Sequence, residues 1–375
     1  MAGIYIHIPF CKKACIYCNF HFTTSLKNKQ ALLDAIQTEI ILRKDYAGDE
    51  VIETIYFGGG TPSILNRKEI DRILKTIHTN YSVVKKPEIT LEANPENLSP
   101  EYLAEIKKTG INRLSIGIQS FRDKDLKYLG RIHSASQAKD CIKNARTAGF
   151  KNITIDLIYG IPGLTKKSWL ENLNMITELD IPHFSAYSLT VEEKTILYSQ
   201  INKNIKNQLS DMQARQHFID LCKFASAMNY EHYEISNFAK KNFVSKHNSA
   251  YWYGKKYIGI GPSAHSYDLV SRQWNSMVNK DYIYLIQHDK PCYTKEKLSR
   301  QDLINEKIML TLRTSKGLNI SEIHDQMSVK EKKLFAQILK LQIDNEYIKA
   351  TDSQIFLTKE GMWFSDRIIS ELFLI

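Results

Sequence analysis

From Gly3 to about Leu189 the sequence repeats one pattern at intervals of about 30 to 35 residues: a short apolar, β-branched run, then a longer stretch with helical periodicity. Such repetition commits the chain to βα units on a parallel sheet. Strands are expected at residues 3–8, 53–57, 88–93, 113–118, 152–159 and 183–189, and helices at 28–46, 67–80, 99–109, 123–129 with 136–148, and 166–179. Local signals support these boundaries: Asn94-Pro95 follows the third strand, Ser99 precedes Pro100 as an N-cap, and Gly149 closes a helix. Six parallel strands with right-handed crossovers build either a doubly wound sheet or a partial barrel, and periodicity does not separate the two. The unusual residues fall at strand carboxyl ends, where βα barrels carry their chemistry, so an α/β fold with a partial (β/α)6 barrel over residues 1–195 is expected.

After about Thr190 the alternation stops. Residues 200–230 read as one long helix and the stretch to Tyr267 is rich in aromatics, which makes residues 196–295 a helical, aromatic-rich mixed α/β extension. Helical patterns at 302–313, 320–326 and 330–345, then a hairpin at 347–350 and 354–357 and a terminal helix, predict a small winged-helix-like domain over residues 296–375. Such domains often bind DNA, but no basic recognition helix is present, and no nucleic-acid partner is expected.

The net charge of +10 comes from short lysine pairs spread along the chain, which reads as a solvated basic surface, with attraction to an anionic ligand as the alternative. At 43% hydrophobic and 25% charged residues the chain is neither disordered nor fibrous. The amino terminus lacks the pattern of a secretory signal and no span reaches 18 uninterrupted apolar residues, so the cytoplasm is the expected compartment.

Three of the six cysteines, Cys11, Cys15 and Cys18, crowd into the segment FCKKACIYCNF, just after the first strand. Three thiolates can hold three corners of a [4Fe-4S] cube and leave one iron open to an exogenous ligand. The alternative is a structural zinc site completed by His7 or His21. Cys141, Cys222 and Cys292 fall singly and read as packing residues, a heme role being the alternative. Glu92, Gln119 and Asp156 stand at or near strand ends, where polar groups fix a ligand or merely cap a helix or turn. Arg131 offers a carboxylate-binding fork or a surface charge, and His133 could position it.

The cysteine motif, followed by GGGTP at Gly58 to Pro62, resembles the radical SAM (S-adenosylmethionine) superfamily, in which the cysteine loop binds a [4Fe-4S] cluster and SAM chelates its open iron. YIHIPFC, YFGGGTPS, LEANPE, SIGIQSF, LGRIH and DLIYGIPG stand in the order found in one group of that superfamily, the oxygen-independent coproporphyrinogen III oxidases and the HemW-type heme chaperones. The resemblance covers nearly the whole chain. It implies that Tyr5, Tyr17, Gly59, Gly60, Thr61, Glu92, Gln119, Arg131 and Asp156 line the SAM pocket; no catalytic residue is singled out.

Within that group the oxidases carry a further cysteine where this chain has Phe20, and an amino-terminal extension ahead of the position of Cys11. Both differences point to the chaperones. KHNSAYW at Lys246 to Trp252 resembles the chaperone motif implicated in heme binding, which implies His247 as a heme contact; residue chemistry adds Tyr251, Trp252 and Tyr253 as cover for a flat macrocycle and Lys246, Lys255 and Lys256 for its propionates. Residue chemistry alone leaves His247 and His265 open as hydrogen-bonded core histidines. The resemblance implies heme and a heme-acceptor protein as partners, respiratory enzymes among them, and admits a homodimer. The oxidase, a radical SAM decarboxylase of heme biosynthesis, is the alternative activity.

Overall fold

The computed structural model describes residues 2–374. The six expected strands are β1 (Ala2–Ile8), β2 (Ile52–Gly59), β3 (Val83–Ala93), β4 (Arg113–Gln119), β5 (Asn152–Tyr159) and β6 (His183–Ser188). They pair in parallel, each with the next in sequence. A doubly wound sheet would reverse direction at a switch point, so this unbroken order is that of a βα barrel. The helices between them, Lys29–Leu42, Arg67–Asn80, Pro100–Lys107, Asp123–Leu129, Ala135–Thr147 and Lys166–Glu178, bury their apolar stripes. Asn66 and Ser134 close capping boxes with Glu69 and Gln137, and Ser99 caps the Tyr102 amide.

The strands bury both faces, so most of their residues are inaccessible. Isoleucine, leucine and phenylalanine at one parity pack under the helices. The other parity carries Tyr5, Thr54, Tyr56, Thr90, Glu92, Arg113, Ser115, Thr154, Asp156, His183 and Ser185 into the lumen. The barrel interior is therefore polar from its amino-terminal floor to its carboxyl-terminal mouth.

Residues beyond β6 continue the same sheet. β8 (Asn237–Ala239) adds antiparallel to β6 and β7 (Glu231–Glu234) antiparallel to β8, while β9 (Tyr257–Ile260) pairs parallel with the outer side of β1. β10 (His265–Tyr267), β11 (Ser271–Asn275) and β12 (Tyr293–Lys297) extend that side. One hydrophobic core runs from Ala2 to Cys292. The long helix expected over 200–230 is instead two, Ile196–Asn202 and Asp211–Ala227. Asn204 between them takes a left-handed φ of 56°, and Ser210 starts the second helix by accepting the Gln213 amide.

The remainder has a core of its own, from Ile304 to Leu374. Helices Arg300–Leu312, Ser321–His324 and Val329–Asp344 pack with a three-stranded sheet of β13 (Leu318–Asn319), β14 (Ile348–Ala350) and β15 (Gln354–Leu357), in the order β13-β15-β14. This is the winged-helix arrangement, followed by helices Lys359–Trp363 and Ser365–Glu371.

Candidate functional site

The cysteine loop is fastened to the barrel mouth along its length. Cys11 N–H donates to Thr23 O and Thr23 N–H to Pro9 O, closing its base. Ile16 N–H reaches Leu129 O, and Ile16 O accepts from Leu197 N–H. The glycine turn after β2 is stitched to the same loop: Gly60 N–H donates to Ile8 O at 2.9 Å and Thr61 N–H to Phe10 O at 2.7 Å. A Cβ on Gly60 would sit 2.8 Å from Phe10 O, and one on Gly59 would strike the His7 ring. Glycine is needed here first for close approach of two protein segments.

Cys11, Cys15 and Cys18 are free and partly exposed, and all three face one cavity of about 600 Å³ in the mouth. A hydrogen-bonded chain runs behind them. Thr61 Oγ1 donates to Cys11 Sγ at 3.3 Å and accepts from Asn94 Nδ2 at 3.1 Å. Arg131 donates to Asn94 Oδ1 at 2.7 Å, Gly117 O at 2.9 Å and Cys15 Sγ at 3.3 Å. Its Nε is buried with no partner within the protein. Asn94, visible in the sequence only as a pre-proline turn residue, is the joint of this chain.

Glu92 and Asp156 line the same cavity. Glu92 accepts Tyr56 O–H at 2.8 Å and Gly59 N–H at 3.1 Å. Burial pushes its carboxyl up to about 7; the hydrogen bonds from Tyr56 and Gly59 pull the other way and Asp156 adds to the rise. Burial also lifts Asp156, to about 6, against the pull of Ser185. Gln119 ends β4 in a left-handed conformation, φ 66°, and turns into the cavity. Of the residues implied for SAM, Tyr17, Gly59, Gly60, Thr61, Glu92, Gln119, Arg131 and Asp156 meet around this cavity with the cysteines. Tyr5 lies apart from that lining, its hydroxyl 3.2 Å from His7 Nδ1 and its ring stacked on Tyr56 at 6.0 Å.

The donor set fits a cluster bound through three sulfurs. The zinc alternative does not fit at His7, both of whose nitrogens are engaged, with Tyr5 O–H and His21 O, and at His21 the Nε2 is taken by Asn279. Among the described residues, no three histidine, cysteine or acidic side chains converge as ligands of a single ion. Cys141, Cys222 and Cys292 are buried away from the cavity.

His247 and Tyr251 come together, but at the other end of the barrel. Their helix, Lys246–Trp252, is capped by Ser245 and by Glu88, which accepts the amides of Lys246 and His247. The His247 ring is 2% exposed, with Nδ1 2.7 Å from Thr54 Oγ1 and Nε2 2.9 Å from Tyr251 O–H. Burial, with Arg113 adding to it, holds its imidazole neutral, down to about 3. Thr54 lies near the start of β2 and pairs in register with Glu88 of β3, so this helix closes the floor while the cysteines sit at the mouth. Lys255 and Lys256 pair with Glu53 and Glu50.

The radical SAM superfamily profile matches residues 5–176, and that of the HemN C-terminal domain matches 298–364. The heme chaperone HemW of Bacillus subtilis (strain 168) is 34% identical over 98% of both chains. That of Lactococcus lactis subsp. lactis (strain IL1403) is 31% identical over 99% of this chain and 97% of its own. The solved structure of Escherichia coli coproporphyrinogen III oxidase, a radical SAM enzyme, matches with a TM-score of 0.85 and 25% identity over 99% of this chain and 89% of that one. With a barrel whose mouth gathers three cysteines and a polar ring, and relatives that align from end to end, the chain belongs to the HemW family of radical SAM proteins.

Proposed function

We propose that this protein is a heme chaperone, which binds heme and passes it to an acceptor protein while carrying a SAM-coordinating [4Fe-4S] cluster. The observation that carries this reading is end-to-end similarity to proteins named as heme chaperones. Cys11, Cys15 and Cys18 would ligate the cluster. When bound, it supplies an open coordination position and an electron. Thr61 and Arg131 donate hydrogen bonds to two of the sulfurs, which orients those ligands and tunes their basicity. Glu92, Asp156, Gln119 and the Arg131 guanidinium offer acceptors, an amide and a cation for the hydroxyl, ammonium and carboxylate groups of SAM. Tyr17 and the glycine turn bound the same space.

Heme contact at His247 and Tyr251 belongs to this proposal with one condition. Both imidazole nitrogens are already hydrogen-bonded, so iron ligation there requires helix Lys246–Trp252 to leave the floor. Delivery to respiratory enzymes, a cytoplasmic setting and a homodimeric state complete the reading. No helix among the described residues is long and apolar enough to cross a membrane.

The architecture shared with coproporphyrinogen III oxidase keeps the oxidase as a second reading. The exposed Phe20 in the cavity mouth, where the resemblance places a cysteine in the oxidases, disfavours it. An anaerobic heme titration of cluster-reconstituted protein, followed in the Soret region, runs beside an incubation with coproporphyrinogen III, SAM and reductant. Saturable heme binding without porphyrinogen turnover is expected. Turnover, or no heme binding, overturns the chaperone reading.

A further inference from the structure

One side chain joins the cavity in the mouth to the helix that closes the floor. Tyr56, on β2, donates its hydroxyl to Glu92 Oε1 at 2.8 Å. Its ring lies against His247, centroids 4.9 Å apart and planes 21° from parallel. Glu92 is anchored on its other oxygen by the Gly59 amide. At the far end His247 is tied to Thr54 and Tyr251, and its own amide is capped by Glu88. Tyr5 stacks on Tyr56 as well, but its hydroxyl turns to His7, so Tyr56 alone of the two reaches both Glu92 and His247.

We propose that Tyr56 is a positioning residue that couples occupancy of the cavity by SAM to the docking of helix Lys246–Trp252 on the barrel floor. A ligand held by Glu92 fixes that carboxylate in the orientation that accepts the Tyr56 hydroxyl. The fixed hydroxyl keeps the ring over His247. Without a ligand the Gly59 amide alone fixes that carboxylate, so the Tyr56 hydroxyl and the ring over His247 are held less firmly. The helix has seven residues, too few to persist by itself, so its docking contacts decide whether it forms. Linkage makes the effect mutual: SAM stabilises the docked helix, and departure of the helix weakens SAM by the same factor.

The inference rests on SAM occupying the cavity, so the test measures that separately. Full-length, cluster-reconstituted protein is assayed for SAM binding by equilibrium dialysis. Hydrogen–deuterium exchange across residues 244–253 is then followed without SAM and at saturating SAM. In the unsubstituted protein SAM should slow this exchange by about fivefold or more. Tyr56→Phe keeps the ring and its stacking but removes the hydroxyl; it should still bind SAM and lose the slowing. Thr54→Val removes a His247 hydrogen bond outside the relay; exchange should rise in both states while the slowing by SAM survives. SAM binding without slowing, or equal slowing in Tyr56→Phe, overturns the coupling alone. Failure to bind SAM removes the reading beneath it and the coupling together.

Discussion

Asp156 carries a partly buried carboxyl into a barrel that has to remain open for a ligand, and it shows what the polar lumen costs. Its carboxyl keeps a proton to about pH 6 in the fold, against the ordinary 3.8. Between those values the folded state binds more protons than the unfolded one, so raising the pH through that window erodes stability, and the loss is complete above about 6. Asp156→Asn removes the ionisation. The SAM-free variant is therefore expected to gain stability over the unsubstituted protein, little at pH 4 and about 3 kcal/mol at pH 7.5. Its affinity for SAM should fall, as expected where a site is bought with stability. Denaturant unfolding of both proteins across that range checks the sign. A difference that does not grow with pH would show that burial of this carboxylate is not what destabilises the fold. Glu92 responds in the same direction, since burial raises its carboxyl too and Asp156 adds to that rise.

Among the elements, the βα units were legible because each strand and helix repeats its own period. Arg67–Asn80, Asp123–Leu129 and Asn152–Tyr159 fall where the sequence puts them. The polar parity inside the strands was there to be read too, but the apolar parity masked it, so only Glu92, Gln119 and Asp156 stood out and Tyr56 did not. The break at Asn204 was hidden because a left-handed residue leaves no trace in a helical pattern. β7 to β12 are three to five residues long, too short for a period of two to declare itself. The inward turn of His247 depends on Thr54 and Glu88, 193 and 159 positions away, which no local pattern encodes. The glycine turn belongs to this scale as well. A methyl group on Gly60 meets backbone carbonyls that cannot move without shifting the cysteine loop. Gly60→Ala should weaken cluster retention by about tenfold or more, read as iron per chain after desalting. Gly48→Ala, where a methyl group would meet nothing within 4 Å although the φ of 60° strains any side chain, should cost some stability and leave iron content unchanged. Equal retention in both would mean that the loop does not depend on the turn.

In the whole molecule two hydrophobic cores meet at one junction. Backbone hydrogen bonds cross it from Ile235 to Arg313 and from Ser315 to Tyr233. Trp363, from the carboxyl-terminal part, packs its ring 5.7 Å from Phe218 of the barrel's outer helix. Arg215 and Glu360 pair across the same seam, but both are more than two-fifths exposed, so the pair is worth about 0.5 kcal/mol at best. Cooperativity between the cores therefore rests on the better covered contacts: the aromatic pair, the backbone bonds, the Arg272–Glu306 pair and Met362, which packs against both cores. Trp363→Ala is expected to cost about 1–3 kcal/mol, less than a fully buried tryptophan because the ring is only partly covered. It should also separate one calorimetric transition into two, since each core retains its own interior. Glu360→Gln should shift the transition by less than about 0.5 kcal/mol and keep it single. If Trp363→Ala unfolds in one step, the remaining contacts, among them the backbone bonds at Ile235 and Ser315 and the Arg272–Glu306 pair, suffice to hold the two cores as one unit, and the aromatic contact only adds to their stability.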